Sequence, residues 1–407
     1  MNNIELLAPA GNLSKLKTAF QYGADAVYLG GGAFSLRCAA DNFNDSELAE
    51  GISYAHSLGK KAYVTANIVP RNNELEDIRE YARMLEKIEA DAIIVSDIGS
   101  FNACRKGAPN TAIHISTQAN ITNYGSAMAW HKLGASRVVL ARELSMNEIA
   151  EINEKKPQTL EMEAFVHGAM CVSYSGRCLL SNYMVSRDSN KGDCAQPCRW
   201  KYHLVEEKRE GEYMPVYEND RGTFIFNSKD LCLIPYIPQL AKAGVTSFKI
   251  EGRVKSEYYL ATVVKAYREE IDRFLENPEA YKFDEQQLSE LSKVSHRGYS
   301  TGFFTGDRGQ QVYETSSYIR NYDVMAVVTE YDPIKKVALL EQRNKLLEGE
   351  KIEIMQPGKP NFIQMASSMR DEKNIKITAT PHSKMKYFMP MNEDVAVGSF
   401  VRKKCTI

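Results

Sequence analysis

No stretch of this 407-residue chain approaches the ~18 consecutive apolar residues of a membrane-spanning helix, so no membrane association is expected. The opening MNNIELLAPAG has no basic segment ahead of an apolar one and does not read as a secretory leader. Neither charge sign is in excess. With 51 Lys and Arg against 52 Asp and Glu, the net charge is −1. That excludes a broad electrostatic pull toward nucleic acid or anionic membrane and leaves only local patches. The zinc-protease pattern H-E-x-x-H is absent, and so are low-complexity segments and long linkers. A cytoplasmic location is expected, where thiols stay reduced.

What is present is a repeated unit. A helical stretch ends near Gly or Ala and an apolar strand follows, as in YGADAVYLGG (22–31), KIEADAIIVSD (87–97), LGASRVVLAREL (133–144) and AGVTSFKIEGR (243–253). These runs carry little polar alternation, as strands buried on both faces do. Eight are predicted: Glu5–Ala8, Ala26–Gly30, Ala62–Asn67, Ala92–Asp97, Ala112–Gln118, Arg137–Arg142, Leu160–His167 and Ser247–Gly252. With helices between them they predict an α/β fold, a closed (β/α)8 TIM-like barrel over residues 1–317; a doubly wound open sheet is the alternative. A cysteine-bearing insertion is expected at 169–223. After about Tyr318 the texture changes to short strands (VMAVVTEYD, KVALLEQ, KIEIMQ, FIQMASSM, IKITAT, GSFVRKK) broken by Pro, Gly, Asp and Asn. This predicts a small all-β barrel domain over 318–407.

In such a barrel the active site lies at the C-terminal ends of the strands. Polar residues stand there: Asn67, Asp97, Gln118, Arg142, His167, Glu251 and Arg253. In SFKIEGR, alternation puts Lys249, Glu251 and Arg253 on one face. They read either as an ion network tying the barrel together or as a guanidinium fork, Arg253 with Arg142, for a carboxylate or phosphate. In MEAFVHG the same alternation puts Glu163, Phe165 and His167 together, and makes His167 with Glu251 the candidates for orientation or proton transfer.

Four of the eight cysteines follow at once, spaced Cys171-x6-Cys178-x15-Cys194-x3-Cys198. Three uses stay open: an iron–sulfur cluster, which tolerates varied spacing; a structural zinc site, for which only Cys194-x3-Cys198 has the usual knuckle form; and unliganded thiols. Cys38, Cys104, Cys232 and Cys405 are scattered and read as small buried hydrophobes, with Cys232 a spare ligand. Nearby, CRWKYH (198–203) interleaves Arg199 and Lys201 with Trp200 and Tyr202, a pattern that stacks on unpaired bases. FVRKKC adds Arg402, Lys403 and Lys404. The null alternative for both is a solvated surface.

EAFVHGAMCVSYSGRC resembles the signature of the collagenase-like peptidase family U32. LLAPAGNLSKLKTAFQYGADAVYLGG, SFKIEGR and HRGYSTGFF (296–304) are similar to that family too. GDCAQPCRWKY and the later β module resemble its branch that modifies tRNA to 5-hydroxyuridine. The resemblance implies an oxygen-independent hydroxylase of the wobble uridine in the anticodon loop, dependent on prephenate, a small dicarboxylate. It also implies a [4Fe–4S] cluster on Cys171, Cys178, Cys194 and Cys198. One departure is visible: an insert that some members carry near residues 205–220 is short here. Arg142 and Arg253 are the expected grips for the cosubstrate, Arg199 and Trp200 for RNA.

The family name raises a peptidase as the alternative. Gly298-Tyr299-Ser300-Thr301-Gly302 matches G-x-S-x-G, but a nucleophile elbow needs a strand before the serine and a helix after it, and here a helical pattern precedes. Cys171 beside His167 could imitate a cysteine protease. A non-catalytic RNA-binding protein with a structural zinc is the third reading.

Overall fold

The computed structural model describes residues 4–36, 42–171, 173–202, 218–219, 222–224, 228–306 and 318–405. Cys38 and most of the 205–220 segment lie outside these residues, as do the side chains of Arg199 and of 201–227.

Eight parallel strands close on themselves: Glu5–Ala10, Ala26–Gly30, Lys61–Ala66, Ala92–Val95, Ala112–Ile115, Arg137–Val139, Glu161–Gly168 and Ser247–Ile250. Each pairs with its neighbour in chain order, and the eighth pairs with both the seventh and the first. The barrel predicted from the repeats is therefore present, and the open sheet is not. Helices connect the strands, entered through side-chain caps: Asn12, Asp97, Asn123 and Ser256 each accept an early backbone N–H, and Asn44 and Ser145 form full capping boxes with Glu47 and Glu148. Among the described residues no helix is long and apolar enough to cross a membrane.

The barrel interior is charged at its lower level. Glu163, fully buried, accepts from Lys249 Nζ at 2.6 Å and Arg137 Nη1 at 3.2 Å. Arg137 also donates to Glu5 at 2.6 Å, and Tyr63 and Ser247 hydroxyls close on Glu5 at 2.6 and 2.7 Å. Buried charge is tolerable only when paired and hydrogen-bonded in this way. His114 is buried in the same barrel, and burial together with Arg137 and Lys249 holds its pKa well below the ordinary value, so it stays neutral. The ion network weighed for this region thus exists, but with different members. Lys249 pairs with Glu163 rather than with Glu251.

Residues 322–404 form a curled seven-stranded antiparallel sheet: Tyr322–Asp332, Val337–Gln342, Lys351–Met355, Phe362–Met365, Arg370–Asp371, Lys386–Pro390 and Phe400–Lys404. Gln364 donates to the Pro390 carbonyl at 3.0 Å and so links two strands that are not ladder neighbours. IKITAT, expected as a strand, makes only isolated bridges, through Lys376 and Ala379; KYFMP is a strand not among those expected. The sheet docks on the long helix Glu257–Glu276. Lys265 Nζ donates to the Gln356 and Lys359 carbonyls and to Asn361 at 2.6–2.8 Å. Arg402 is fully buried and paired with Glu353 and Glu290 at 2.8 and 2.5 Å. Arg402 is therefore a joint between the sheet and the barrel rather than part of an RNA surface, and Lys403 is paired with Glu350. The sequence shows three consecutive cations; the partners that neutralise Arg402 and Lys403 come from elsewhere in the chain.

Candidate active site

At the C-terminal ends of the strands a pocket is lined by Arg142, Arg253, Lys249 and Glu251, with Phe165 and Tyr28 as apolar walls and Thr65, Asn67, Ser116 and Gln118 as polar ones. Arg253 is buried and donates Nη1 to Ser35 at 2.6 Å and to Thr65 at 3.4 Å. It can lie there because residue 30 is glycine: a Cβ would stand 2.3 Å from that nitrogen. Arg142 donates to the Ala169 carbonyl at 2.9 Å, and its guanidinium carbon sits 3.9 Å from the Phe165 ring centroid. Its Nε is buried and has no partner among the described residues. Lys249 Nζ lies 4.3 Å from the Tyr28 ring centroid. Asn67 Nδ2 reaches Ser116 and Gln118 at 3.4 Å each. Arg142 and Arg253, with Glu251 beside them and Lys249 already paired with Glu163, are groups of the kind that hold a small anion with more than one carboxylate or phosphate group.

The structure brings together Asn67, Gln118, Arg142, Glu251 and Arg253 from the expected strand ends, with Lys249 and Phe165 from the same strand faces, and adds Thr65 and Ser116, which the sequence reading did not name. Asp97 is elsewhere, capping its helix by accepting from Ser100 N at 2.9 Å.

His167 is also elsewhere, which corrects the face assignment. In the pairing of the seventh strand with the eighth, Phe165 stands opposite Lys249 and His167 opposite Ile250, so Val166 is an extra residue. Such a bulge reverses the side-chain alternation beyond it. Glu163 and Phe165 point into the barrel; His167 points out, among Tyr259, Tyr267 and Tyr299 at centroid distances of 6.1, 5.6 and 5.3 Å. It is 1% exposed, and neither ring nitrogen has a hydrogen-bond partner among the described residues. Burial, aided by His296 and Lys255, brings its pKa down to about 3, so it is neutral near pH 7.

A stability prediction follows from that depression. The unfolded chain takes up a proton at His167 near 6.5 and the folded chain only near 3. The contribution of this group to stability is complete above 6.5 and is lost as pH falls through that window. For wild type the loss is on the order of a few kcal/mol. Urea midpoints at pH 7 and pH 4.5 should converge more for His167→Phe than for wild type; equal acid losses in the two proteins would refute the assignment.

The segment after Gly168 carries the four thiols. Gly168 has φ +111°, and a Cβ there would meet the Glu251 carbonyl oxygen at 2.5 Å, so the turn requires glycine. The loop is pinned across the mouth. Glu143 accepts from Ser175 N and Oγ at 2.6 and 2.8 Å, Arg177 donates to the Ser96 carbonyl at 3.4 Å, Val69 N donates to the Asn190 carbonyl at 3.1 Å, and Lys191 pairs with Glu74. None of Cys171, Cys178, Cys194 and Cys198 is in a disulfide. The Cys171 residue is exposed but its sulfur is crowded. Burial raises its pKa, and the charges of Cys178 and Cys194 raise it further, against the Ser173 N–H and Arg142. Cys171 therefore lies near enough to both Cys178 and Cys194 to feel their charge. Leu180 N donates to Cys178 Sγ at 3.3 Å and Gln196 N to Cys194 Sγ at 3.4 Å, so both sulfurs accept a backbone hydrogen bond. Among the described residues no three His, Cys, Asp or Glu side chains are already closed into a metal-holding arrangement. The donor set is the soft, all-thiol one that iron–sulfur clusters and zinc select, and closure on metal can be part of binding.

Cys232 is buried opposite His167 in an antiparallel pairing of Asp230–Cys232 with the seventh strand, and its pKa is pushed up to about 11 by burial. Trp200 is exposed beside the loop. Ser300 lies on the two-residue strand Tyr299–Ser300, preceded by the helix Gln286–Leu291 and followed by a turn, which is not an elbow.

A closed eight-stranded parallel barrel, with a cationic pocket and a four-cysteine loop at its mouth and a curled antiparallel sheet on its helices, places this chain among the TIM-like barrel proteins. It belongs to Peptidase family U32: residues 11–314 match that family, and residues 320–402 match the Peptidase family U32 C-terminal domain. Among its relatives, tRNA hydroxylation protein P1 of Bacillus subtilis is 40% identical over 98% of this chain and 94% of that protein. The tRNA hydroxylation protein P of Escherichia coli is 37% identical over 96% and 94%. The 23S rRNA 5-hydroxycytidine C2501 synthase of Escherichia coli is 34% identical over 75% of this chain and 46% of that protein.

Proposed function

We propose that this protein hydroxylates tRNA, forming 5-hydroxyuridine at the wobble position. The observation that carries the reading is the meeting of a loop bearing four cysteines with an arginine-lined pocket at one barrel mouth, in a chain similar from end to end to two tRNA hydroxylation proteins. The product named for the rRNA relative, a 5-hydroxypyrimidine, supports the same chemistry on a pyrimidine base.

Cys171, Cys178, Cys194 and Cys198 would hold a [4Fe–4S] cluster, which supplies one-electron chemistry when bound. Arg142 and Arg253 would grip the carboxylates of a prephenate-like cosubstrate. Glu251, at the same pocket and within reach of the Tyr28 hydroxyl at 3.5 Å, is the candidate for orientation or proton transfer. His167 acts indirectly, through the strand that leads into Gly168 and the cysteine loop. A base inside a folded anticodon loop cannot reach the pocket, so the uridine enters unstacked, and Arg199 and Trp200 would receive its neighbours, Trp200 being exposed beside the loop.

Peptide hydrolysis finds no comparable support. H-E-x-x-H is absent, Ser300 is not on an elbow, and His167 makes no hydrogen bond to a thiol among the described residues. The test is mass spectrometry of tRNA nucleosides from cells lacking the gene and from complemented cells. 5-Hydroxyuridine and its derivatives should vanish and return; unchanged levels on deletion would rule out the reading.

A further inference from the structure

Beyond the pocket, the rim after the eighth strand carries an aromatic ring with two cations. Tyr318 is 41% exposed. Lys255 Nζ and the Arg297 guanidinium carbon each lie 4.4 Å from its ring centroid, and Arg297 also donates to its hydroxyl. The arrangement is fixed by backbone. His296 N donates to the Ile319 carbonyl at 3.2 Å and Ile319 N to the His296 carbonyl at 2.7 Å, which holds the segments bearing Arg297 and Tyr318 side by side. His296 in turn stacks on Tyr299 at 4.4 Å with 9° between the planes. Lys255 follows Arg253 of the pocket by two residues, with its N–H on the Gly252 carbonyl at 2.8 Å.

Neither cation has a carboxylate partner among the described residues, although Arg297 is 4% exposed. Asp230, buried in the layer behind, pairs with neither of them. Two other buried guanidinium groups are neutralised by carboxylates: Arg137 by Glu5 and Glu163, Arg402 by Glu290 and Glu353. A buried guanidinium left without a carboxylate is costly unless an anion arrives from outside.

We propose that Lys255, Arg297 and Tyr318 form a second RNA contact, in which the two cations take a backbone phosphate and the tyrosine ring takes an unpaired base. This rests on the tRNA reading above and deepens it. The cysteine loop with Trp200 reaches across the mouth to the loops after the third and fourth strands. The Tyr318 platform sits after the eighth, so a single-stranded loop is held on both sides of the pocket. Phosphate neutralisation and base stacking are the two terms of such binding, and Val254, exposed beside Lys255, extends the apolar part of the surface.

The experiment is a titration of the full-length protein into labelled unmodified tRNA at several salt concentrations, with fluorescence anisotropy as the readout. Lys255→Ala should weaken binding and lower the slope of log K against log salt by about 1. Tyr318→Ala should weaken binding about tenfold with little change in that slope, and Tyr318→Phe should bind nearly as wild type. Arg297→Gln is added only if its melting temperature matches wild type, because that side chain is buried. If wild type binds tRNA while Lys255→Ala and Tyr318→Ala bind equally well with the same slope, this surface is overturned and the functional reading stands. If wild type shows no tRNA affinity at all, both fall.

Discussion

Cys171→Ser is expected to leave the anaerobically purified protein colourless and to reduce tRNA hydroxylation by a factor of about 100 or more. A serine hydroxyl does not ionise near neutral pH and is a hard, weak donor to iron, whereas a thiolate is the ligand such clusters select. The Cys171 sulfur already lies in the field of Cys178 and Cys194, so on the cluster reading its loss would take away one of a set of ligands rather than an isolated thiol. Cys178→Ser, Cys194→Ser and Cys198→Ser should behave alike. Cys405→Ser, just past the last strand of the C-terminal sheet, should keep colour and activity. The barrel itself should survive, because the thiol loop contributes little to the interior core. Visible absorption with iron and zinc analysis decides the matter. Stoichiometric zinc without iron in wild type would favour the structural-zinc alternative, and metal-free wild type with full activity would end the cluster assignment.

Glu163→Ala is expected to cost about 3–5 kcal/mol of folding stability. The glutamate is fully buried between Lys249 at 2.6 Å and Arg137 at 3.2 Å. Without it, Lys249 loses its only ion-pair partner among the described residues, and a second cation lies close by in a low-dielectric interior. Arg137 keeps Glu5 and Glu161; Lys249 keeps only the faces of Tyr28 and Phe165. Glu163→Gln, which retains acceptors without the charge, should fall between the two. Urea unfolding at pH 7 measures the difference, and a loss under about 1 kcal/mol for the alanine variant would show that the network is not worth what its burial implies. Because Lys249 and Phe165 also line the pocket, the variant should disturb anion binding there even where it folds.

Much of the barrel was legible in sequence because each strand is a local object. AVYLG and AIIV are buried on both faces and so carry continuous apolar runs, while Asn, Asp and Ser before the helices announce their caps. The short strands Asp230–Cys232 and Tyr299–Ser300 were not legible. The first exists because it adds to the seventh strand beyond its bulge, and the second because it pairs with the first; two or three residues carry no period of their own. IKITAT shows the converse: it has alternation enough for a strand, yet only isolated bridges form.

The candidate site divides in the same way. Arg142, Glu251 and Arg253 could be named from strand-end position, since topology alone brings the ends of eight parallel strands to one rim. His167 was misplaced by the same rule, because a single extra residue at Val166 reversed the alternation, and nothing in MEAFVHG marks where a bulge falls. Arg402 looked like one cation in a basic run and proved to be the buried partner of Glu290 and Glu353, more than 40 residues away along the chain.

Local pattern therefore sufficed for the kind of elements, their order, the barrel they close into and the clustering of cysteines, because hydrophobic period and spacing act over a few residues. Only the folded chain decided which way each polar side chain faces and which charge neutralises which. Those depend on register between strands and on contacts between residues far apart in sequence, where a shift of one position exchanges inside for outside.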